Sequence, residues 1–272
     1  ADRVPEVPVC GFLPRAPRLA LPARHLGLVQ AGEHEALDRF LEGAADIIEE
    51  HVDPDALIAH ARPGAAAHAQ DPTVAPLPPL GRRIAVARDD AFAFCYPATL
   101  AGWRAAGAEL SFFSPLANEA PEARSDAVYL PGGYPELHAG RLAGNARFLA
   151  GLREAAARDA PVFGECGGYM VLGDGLIDAD GARHAMAGLL PLETSFADRR
   201  LHLGYRVLRS VADGPLGPRA TRFRGHEFHY ATILREGEGE PLFEAQDAAG
   251  RDIGAAGRRR GSVAGSFIHL ID

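Results

Sequence analysis

Ala160-Pro-Val-Phe-Gly-Glu-Cys-Gly-Gly-Tyr-Met-Val-Leu-Gly173 is the stretch on which the fold turns. A short apolar run, residues 161–163, enters a turn of small residues with Cys166 at its apex. A helix-like pattern, 169–172, leaves it. A strand–turn–helix of this kind lifts a nucleophile above the end of a parallel sheet. Gly164, Gly167 and Gly168 let neighbouring backbone approach the turn without Cβ clashes. The helix N-terminus is expected to favour thiolate over thiol, because its partial positive charge stabilises the anion. An arbitrary cysteine is more often a buried structural thiol, but the flanking glycines contribute nothing to packing and decide for a nucleophile.

Around this turn, strands and helices alternate. Residues 83–87, 110–113 and 127–130 read as buried strands, and 97–106 and 145–158 as helices, the first opened by Pro97. The alternation predicts an α/β fold, a mostly parallel sheet with helices on both faces and ligands at the strands' C-terminal ends. After residue 185 the runs shorten, as at 201–208 and 228–234, and predict added antiparallel strands.

The first part of the chain reads differently. Residues 7–13 look like a final core strand followed by a loop. Residues 33–51 look like an amphipathic helix with Ala36, Leu37, Phe40, Leu41, Ala44, Ile47 and Ile48 on one face, and 55–61 like a short second helix. These pieces are too few to close a core, and the chain opens on Ala1 in mid-pattern. Residues 1–61 are therefore expected to be the remnant of a domain in a longer chain. Residues 62–80, rich in Ala, Pro and Gly, read as a linker, and 81–272 as the α/β domain.

Composition narrows the function. A net charge of −8 argues against nucleic acid as a partner. No apolar run approaches the ~18 residues of a membrane span, and the start lacks a secretory pattern, so the protein is expected to be soluble and cytoplasmic. Three cysteines, Cys10, Cys95 and Cys166, lie too far apart for a disulfide framework or a zinc finger, and the first two read as core thiols. All 28 basic residues are arginine. Without lysine the chain carries neither a Walker A phosphate loop nor Schiff-base chemistry.

Two motifs converge on the cysteine. Leu130-Pro-Gly-Gly-Tyr-Pro-Glu136 follows a buried strand, so Gly132 and Gly133 fall at the same sheet edge as Cys166. Their N–H groups, with that of Gly167, suit a tetrahedral oxyanion; an ordinary tight turn is the alternative. Gly265-Ser-Phe-Ile-His-Leu270 delivers His269 to a strand end, where a cysteine needs a base to protonate a leaving amine. His226-Glu-Phe-His229 is only superficially a zinc motif, because its spacing is i, i+3 in a non-helical segment, and no metal ligand set is expected. A polar role near the acceptor suits His226, Glu227 and His229 better. Asp89 is either the cap of a loop or a residue at the site's edge. Arg258-Arg-Arg260 reads as a solvated run.

Together, Gly-Glu-Cys-Gly-Gly-Tyr-Met (164–170), Leu-Pro-Gly-Gly-Tyr-Pro-Glu (130–136), Gly-His-Glu-Phe-His-Tyr (225–230) and Ser-Phe-Ile-His-Leu (266–270) resemble the cobyrinic or hydrogenobyrinic acid a,c-diamide synthases. Residues 81–272 resemble their class I (triad) glutamine amidotransferase domain. Residues 1–61, including Leu-Pro-Ala-Arg-His-Leu-Gly-Leu (21–28), resemble the end of their ATP-dependent, dethiobiotin-synthetase-like domain. The resemblance implies that Cys166 attacks the glutamine side-chain amide, with His269 shuttling the proton and Gly132, Gly133, Gly167, Tyr134 and Glu136 lining the oxyanion and glutamine site. It implies ATP and Mg²⁺ on the N-terminal region outside this chain, glutamine and a corrinoid polycarboxylate as substrates, and the enzyme's own ATP-dependent domain as partner; a homodimer is left open.

One departure stands out: triad enzymes often place a glutamate two residues after the histidine, and here Ile271 is there. Asp272 or Glu227 remain candidates to orient the imidazole, beside a plain Cys166–His269 dyad. Cobyric acid synthase is the neighbouring alternative. A cysteine hydrolase of the same sheet type, with a histidine soon after its cysteine, and a non-catalytic binding module are the others.

Overall fold

Ten strands of the C-terminal unit form one sheet, in the spatial order Ile268–Leu270, Arg222–His229, His202–Ser210, Glu240–Asp247, Asp252–Arg260, Val263–Ser266, Val162–Glu165, Ala127–Leu130, Arg83–Ala87 and Glu109–Phe113. This is seen in a computed structural model that describes residues 7–24, 27–62 and 76–272 and divides into two units, 1–73 and 74–272. Residues 63–75 of the expected linker, and His25 and Leu26 of the 21–28 motif, lie outside the described residues.

The last five strands in that order are parallel, as the alternation predicts. Their side chains alternate between two cores, because successive residues of a strand face opposite sides. Ala85, Ala87, Val128, Leu130 and Val162 join one core with Phe148, Leu149 and Leu152 of the helix Ala146–Ala157. Ile84, Val86, Ala127, Tyr129 and Phe163 join the other with Leu100 and Trp103 of the helix Pro97–Ala105. With both faces covered, these strands carry almost continuous apolar runs, which is why the sequence shows them so plainly.

The other five strands are antiparallel and alter the expected picture. Residues 265–270 do not form one strand: Val263–Ser266 pairs with Val162–Glu165, and Ile268–Leu270 pairs with Arg222–His229. Only Phe267 separates these two, so the antiparallel strands curl round until the edge strand returns to the end of the parallel sheet. Residues 228–234 divide likewise, into Arg222–His229 and Thr232–Glu236. The latter belongs to a second, four-stranded sheet with Leu192–Ser195, Gly175–Ile177 and Arg183–Ala185.

In the first unit the helix spans Leu37–His51, later than expected because Ala31–Glu33 forms a separate 3-10 turn. A second helix spans Pro54–His60, capped by Asp53, whose Oδ1 accepts from Ala56 N–H at 3.0 Å. Residues 7–13 make no strand: Gly11 forms one bridge to Val52, and Val9 and Phe12 are exposed. A strand needs a continuous ladder partner, and none is present among the described residues. Ile47 is buried, whereas Leu41 and Ile48 of the same apolar face are exposed.

Candidate active site

The strand Val162–Glu165 ends at Cys166, which opens the helix Gly167–Leu172 in a strained backbone conformation, φ 47° and ψ −104°. A non-glycine residue there costs on the order of 1–3 kcal/mol, and its surroundings hold it in place. Cys166 N–H donates to Ser266 O at 2.8 Å, and its carbonyl accepts from Met170 N–H at 3.1 Å. The turn also needs absent side chains. A Cβ on Gly168 would lie 2.7 Å from both the carbonyl carbon and the Cβ of Leu130.

His269 reaches the same point from the curled edge strand. A Cβ on Gly132 would lie 2.5 Å from His269 Cε1, 3.2 Å from its Nε2 and 3.4 Å from Cys166 Cβ, so the imidazole edge and Cys166 meet over this glycine. Gly133 stands beside the turn as well, since a Cβ on Gly167 would lie 3.1 Å from Gly133 N. Tyr134 is buried edge-on to Phe94, with ring centroids 5.1 Å apart, and Glu136 is buried in the turn Pro135–His138. The glycine loop, the cysteine and the histidine converge although they are remote in sequence.

Residues 83–272 match the family of CobB/CobQ-like glutamine amidotransferase domains. The chain belongs to that family. It is 59% identical over 269 residues to the hydrogenobyrinate a,c-diamide synthase of Brucella anthropi, covering 98% of this chain and 60% of that protein. The enzyme of the same name from a Sinorhizobium species is 60% identical over 273 residues, covering 98% and 61%. The chain thus spans about 60% of the length of the curated relatives it matches. PurLQS from Thermotoga maritima, a solved structure, aligns with a TM-score of 0.48 and 17% identity over 69% of this chain and 86% of that one.

The Cys166 site differs electrostatically from the expected thiolate. Burial pushes the Cys166 thiol well above its ordinary range and the Glu136 carboxylate adds to this, while the Gly167 N–H only partly offsets both. The helix is six residues long, and Cys166 is 1% exposed. Burial therefore outweighs the helix terminus, and the resting thiol is neutral. His269 is neutral too: burial, then the charges of His226 and His229, lower it to about 3.

The other expected site residues separate into distinct roles. His226 lies opposite His269 in the strand register, and the rings stack at 4.9 Å with 9° between their planes. Asp272 is held by Arg224, at 2.6 and 2.5 Å. Burial would raise Glu227, but bonds from His229 and Arg206 outweigh it and hold the carboxyl at about 2. His202, Glu227 and His229 place ligand atoms within 4.8 Å of one another. The two imidazoles, however, stack in parallel at 4.6 Å, so their in-plane lone pairs do not converge, and the Arg206 guanidinium already neutralises Glu227. Asp89 clamps its loop, accepting from Ala91 N–H, Ser114 Oγ–H and Leu116 N–H. Cys95 is partly buried against the core and Cys10 is half-buried. Arg258 pairs with Glu236, which accepts from Tyr169 of the helix after Cys166.

Three residues of the site escaped the sequence reading. Glu165, next to Cys166, has Oε2 3.9 Å from His269 Nδ1. Tyr129 Oη–H donates to Glu165 Oε2 at 2.7 Å, and Tyr96 Oη lies 3.4 Å from His269 Nδ1 and 3.3 Å from His226 Nε2. A charge closing a four-residue run that is buried throughout was the available signal for Glu165.

Burial raises Glu165 to about 7 from 4.5, against bonds from Tyr129 and Leu270 N–H that lower it. A raised carboxyl binds its proton more tightly in the folded state, so its contribution to stability is complete below pH 4.5 and is lost as pH rises through 7. The expected loss is about 3 kcal/mol, and Glu165→Gln removes this part of the pH dependence. Thermal melts of both proteins from pH 4.5 to 8.5 check it; parallel curves would contradict it.

Proposed function

We propose that this chain is the glutamine-hydrolysing, ammonia-supplying part of an ATP-dependent amidoligase that amidates the a and c carboxylates of hydrogenobyrinic or cobyrinic acid. The convergence of Cys166 and His269 at Gly132 carries the reading, and the names of the relatives supply the acceptor.

Cys166 Sγ attacks the side-chain carboxamide carbon of glutamine as its proton passes to His269 Nε2. The N–H groups of Gly133 and Gly167 stabilise the tetrahedral oxyanion. His269 returns the proton to the departing nitrogen, ammonia leaves, and water hydrolyses the γ-glutamyl thioester to glutamate and free thiol. Tyr134 and Glu136 line the glutamine side. His226 faces an apolar cleft of about 600 Å³ with Tyr96, Leu203, Tyr205 and Phe228, on the side assigned to the acceptor. ATP and Mg²⁺ belong to the remaining part of the longer enzyme, where the acceptor carboxylates are activated for ammonia.

Incubation with 6-diazo-5-oxonorleucine followed by mass spectrometry tests this. A single adduct on Cys166, prevented by excess glutamine, is the expected result. Iodoacetamide, which has no glutamine group to be recognised, reacts slowly at pH 8 because the resting thiol is neutral and buried. No diazo-ketone adduct, even with the ATP-dependent part present, would exclude glutamine chemistry. ATP-dependent diamide formation by the isolated chain would equally contradict the assignment.

A further inference from the structure

We infer that Glu165 is the positioning residue for His269, standing in for the carboxylate that Ile271 displaces, and that Tyr96 fixes the tautomer of the ring. The inference rests on the glutamine-hydrolysing reading above and adds a role to a residue outside the cysteine–histidine pair.

Glu165 grips the histidine strand twice. Its Oε1 accepts from Leu270 N–H at 3.1 Å, fixing the backbone immediately after His269, and its Oε2 lies 3.9 Å from the ring's Nδ1. Both side chains are 3% exposed, so no water competes for the pair. The carboxyl is itself held from behind by Tyr129 Oη–H. It enters the site from the strand that leads into Cys166, one residue before it, so one backbone segment brings both thiol and carboxyl to the histidine.

The hydrogen bonds around Nδ1 form a directional chain. Burial lowers His226, which leaves its ring neutral, and burial raises Tyr96, which keeps its proton. In this assignment Tyr96 donates to His226 Nε2, 3.3 Å away, and accepts from His269 Nδ1–H, 3.4 Å away. With the proton on Nδ1, Nε2 is the ring nitrogen left to take the thiol proton. When Cys166 Sγ forms its bond to carbon, the thiol proton moves to Nε2 and the ring becomes an imidazolium. Nδ1–H stays on Tyr96, the Glu165 carboxylate offsets the charge, and the proton leaves again from Nε2 to the departing nitrogen.

Tyr129, Tyr96, Cys95 and Cys166 surround Glu165, and Tyr96, His226, His229 and Cys166 surround His269. Glu165 titrates near 7, so it changes charge in the working range while His269 in the resting site does not.

The test is nitrogen-15 NMR of the histidine rings in this chain, from pH 5 to 9, with His269→Asn to assign the signal. The expected result is an Nδ1–H ring whose shifts carry an inflection near pH 7. The inflection disappears in Glu165→Gln and moves to higher pH in Tyr129→Phe, which deletes the hydroxyl that favours the ionised carboxyl. Alkylation of Cys166 by 6-diazo-5-oxonorleucine at pH 8 falls about 10- to 100-fold in Glu165→Gln. Identical His269 curves in wild type and Glu165→Gln would overturn the inference. If Glu165→Gln does not fold, an unmoved inflection in Tyr129→Phe does the same. Absence of any wild-type adduct would sink the glutamine reading, whereas the histidine titration decides the positioning role independently.

Discussion

Cys166→Ala abolishes glutamine hydrolysis and leaves the fold in place. The thiol is the only group at the elbow able to form the γ-glutamyl bond, and loss of a nucleophile costs at least about 10⁴-fold in turnover. The structural cost is small. Alanine bears the same backbone strain as cysteine at φ 47°, and only one sulfur atom leaves a packed site. A destabilisation of about 1 kcal/mol is expected. Glutamate release by the longer enzyme, beside a thermal melt of the variant, measures both. Hydrolysis at the wild-type rate would remove Cys166 from the mechanism; loss of folding would show that the thiol holds the elbow together.

Gly168→Ala has the largest structural effect. Its new Cβ would lie 2.7 Å from the carbonyl carbon and the Cβ of Leu130 and closer still to the carbonyl oxygen. Leu130 sits in a central strand paired with Gly164, so the obstacle is backbone that cannot rotate away. Relief requires the helix Gly167–Leu172 to move off the sheet, and that helix is buried throughout. The expected loss is about 4 kcal/mol or more, with the Cys166 turn displaced as well. Gly144→Ala is the control: it lies exposed at the end of the helix Ala139–Gly144 with nothing within 4 Å of a new Cβ. That change is neutral or stabilises by roughly 0.5–1 kcal/mol. Urea unfolding of the two variants compares them, and similar stabilities would show that the close approach at Gly168 does not matter.

The parallel half of the sheet was legible because strands covered on both faces carry apolar runs of strand length, and the intervening helices carry their own period. Residues 83–87 and 127–130 were placed to the residue for this reason. The histidine strand was harder to read. The residues from 263 to 270 have one continuous apolar character, yet the chain changes partners at Phe267, and nothing local marks the change. The run 228–234 divided for the same reason. In the first unit the helix was legible from its period, but the strand expected at 7–13 was not formed, because apolar residues alone do not supply a ladder partner.

By itself the sequence determined that Cys166 stands at a sharp turn between strand and helix and that Gly132 and Gly133 border the same sheet edge. Each follows from local rules of backbone freedom, strand length and side-chain period. Tertiary structure decided the protonation of the site and the surroundings of the histidine. Burial makes the thiol and the imidazole neutral in spite of the helix terminus, because desolvation depends on everything packed around a charge. Likewise, Glu165, Tyr129 and Tyr96 reach the site from three different segments, and only the curl of the antiparallel strands brings His269 among them.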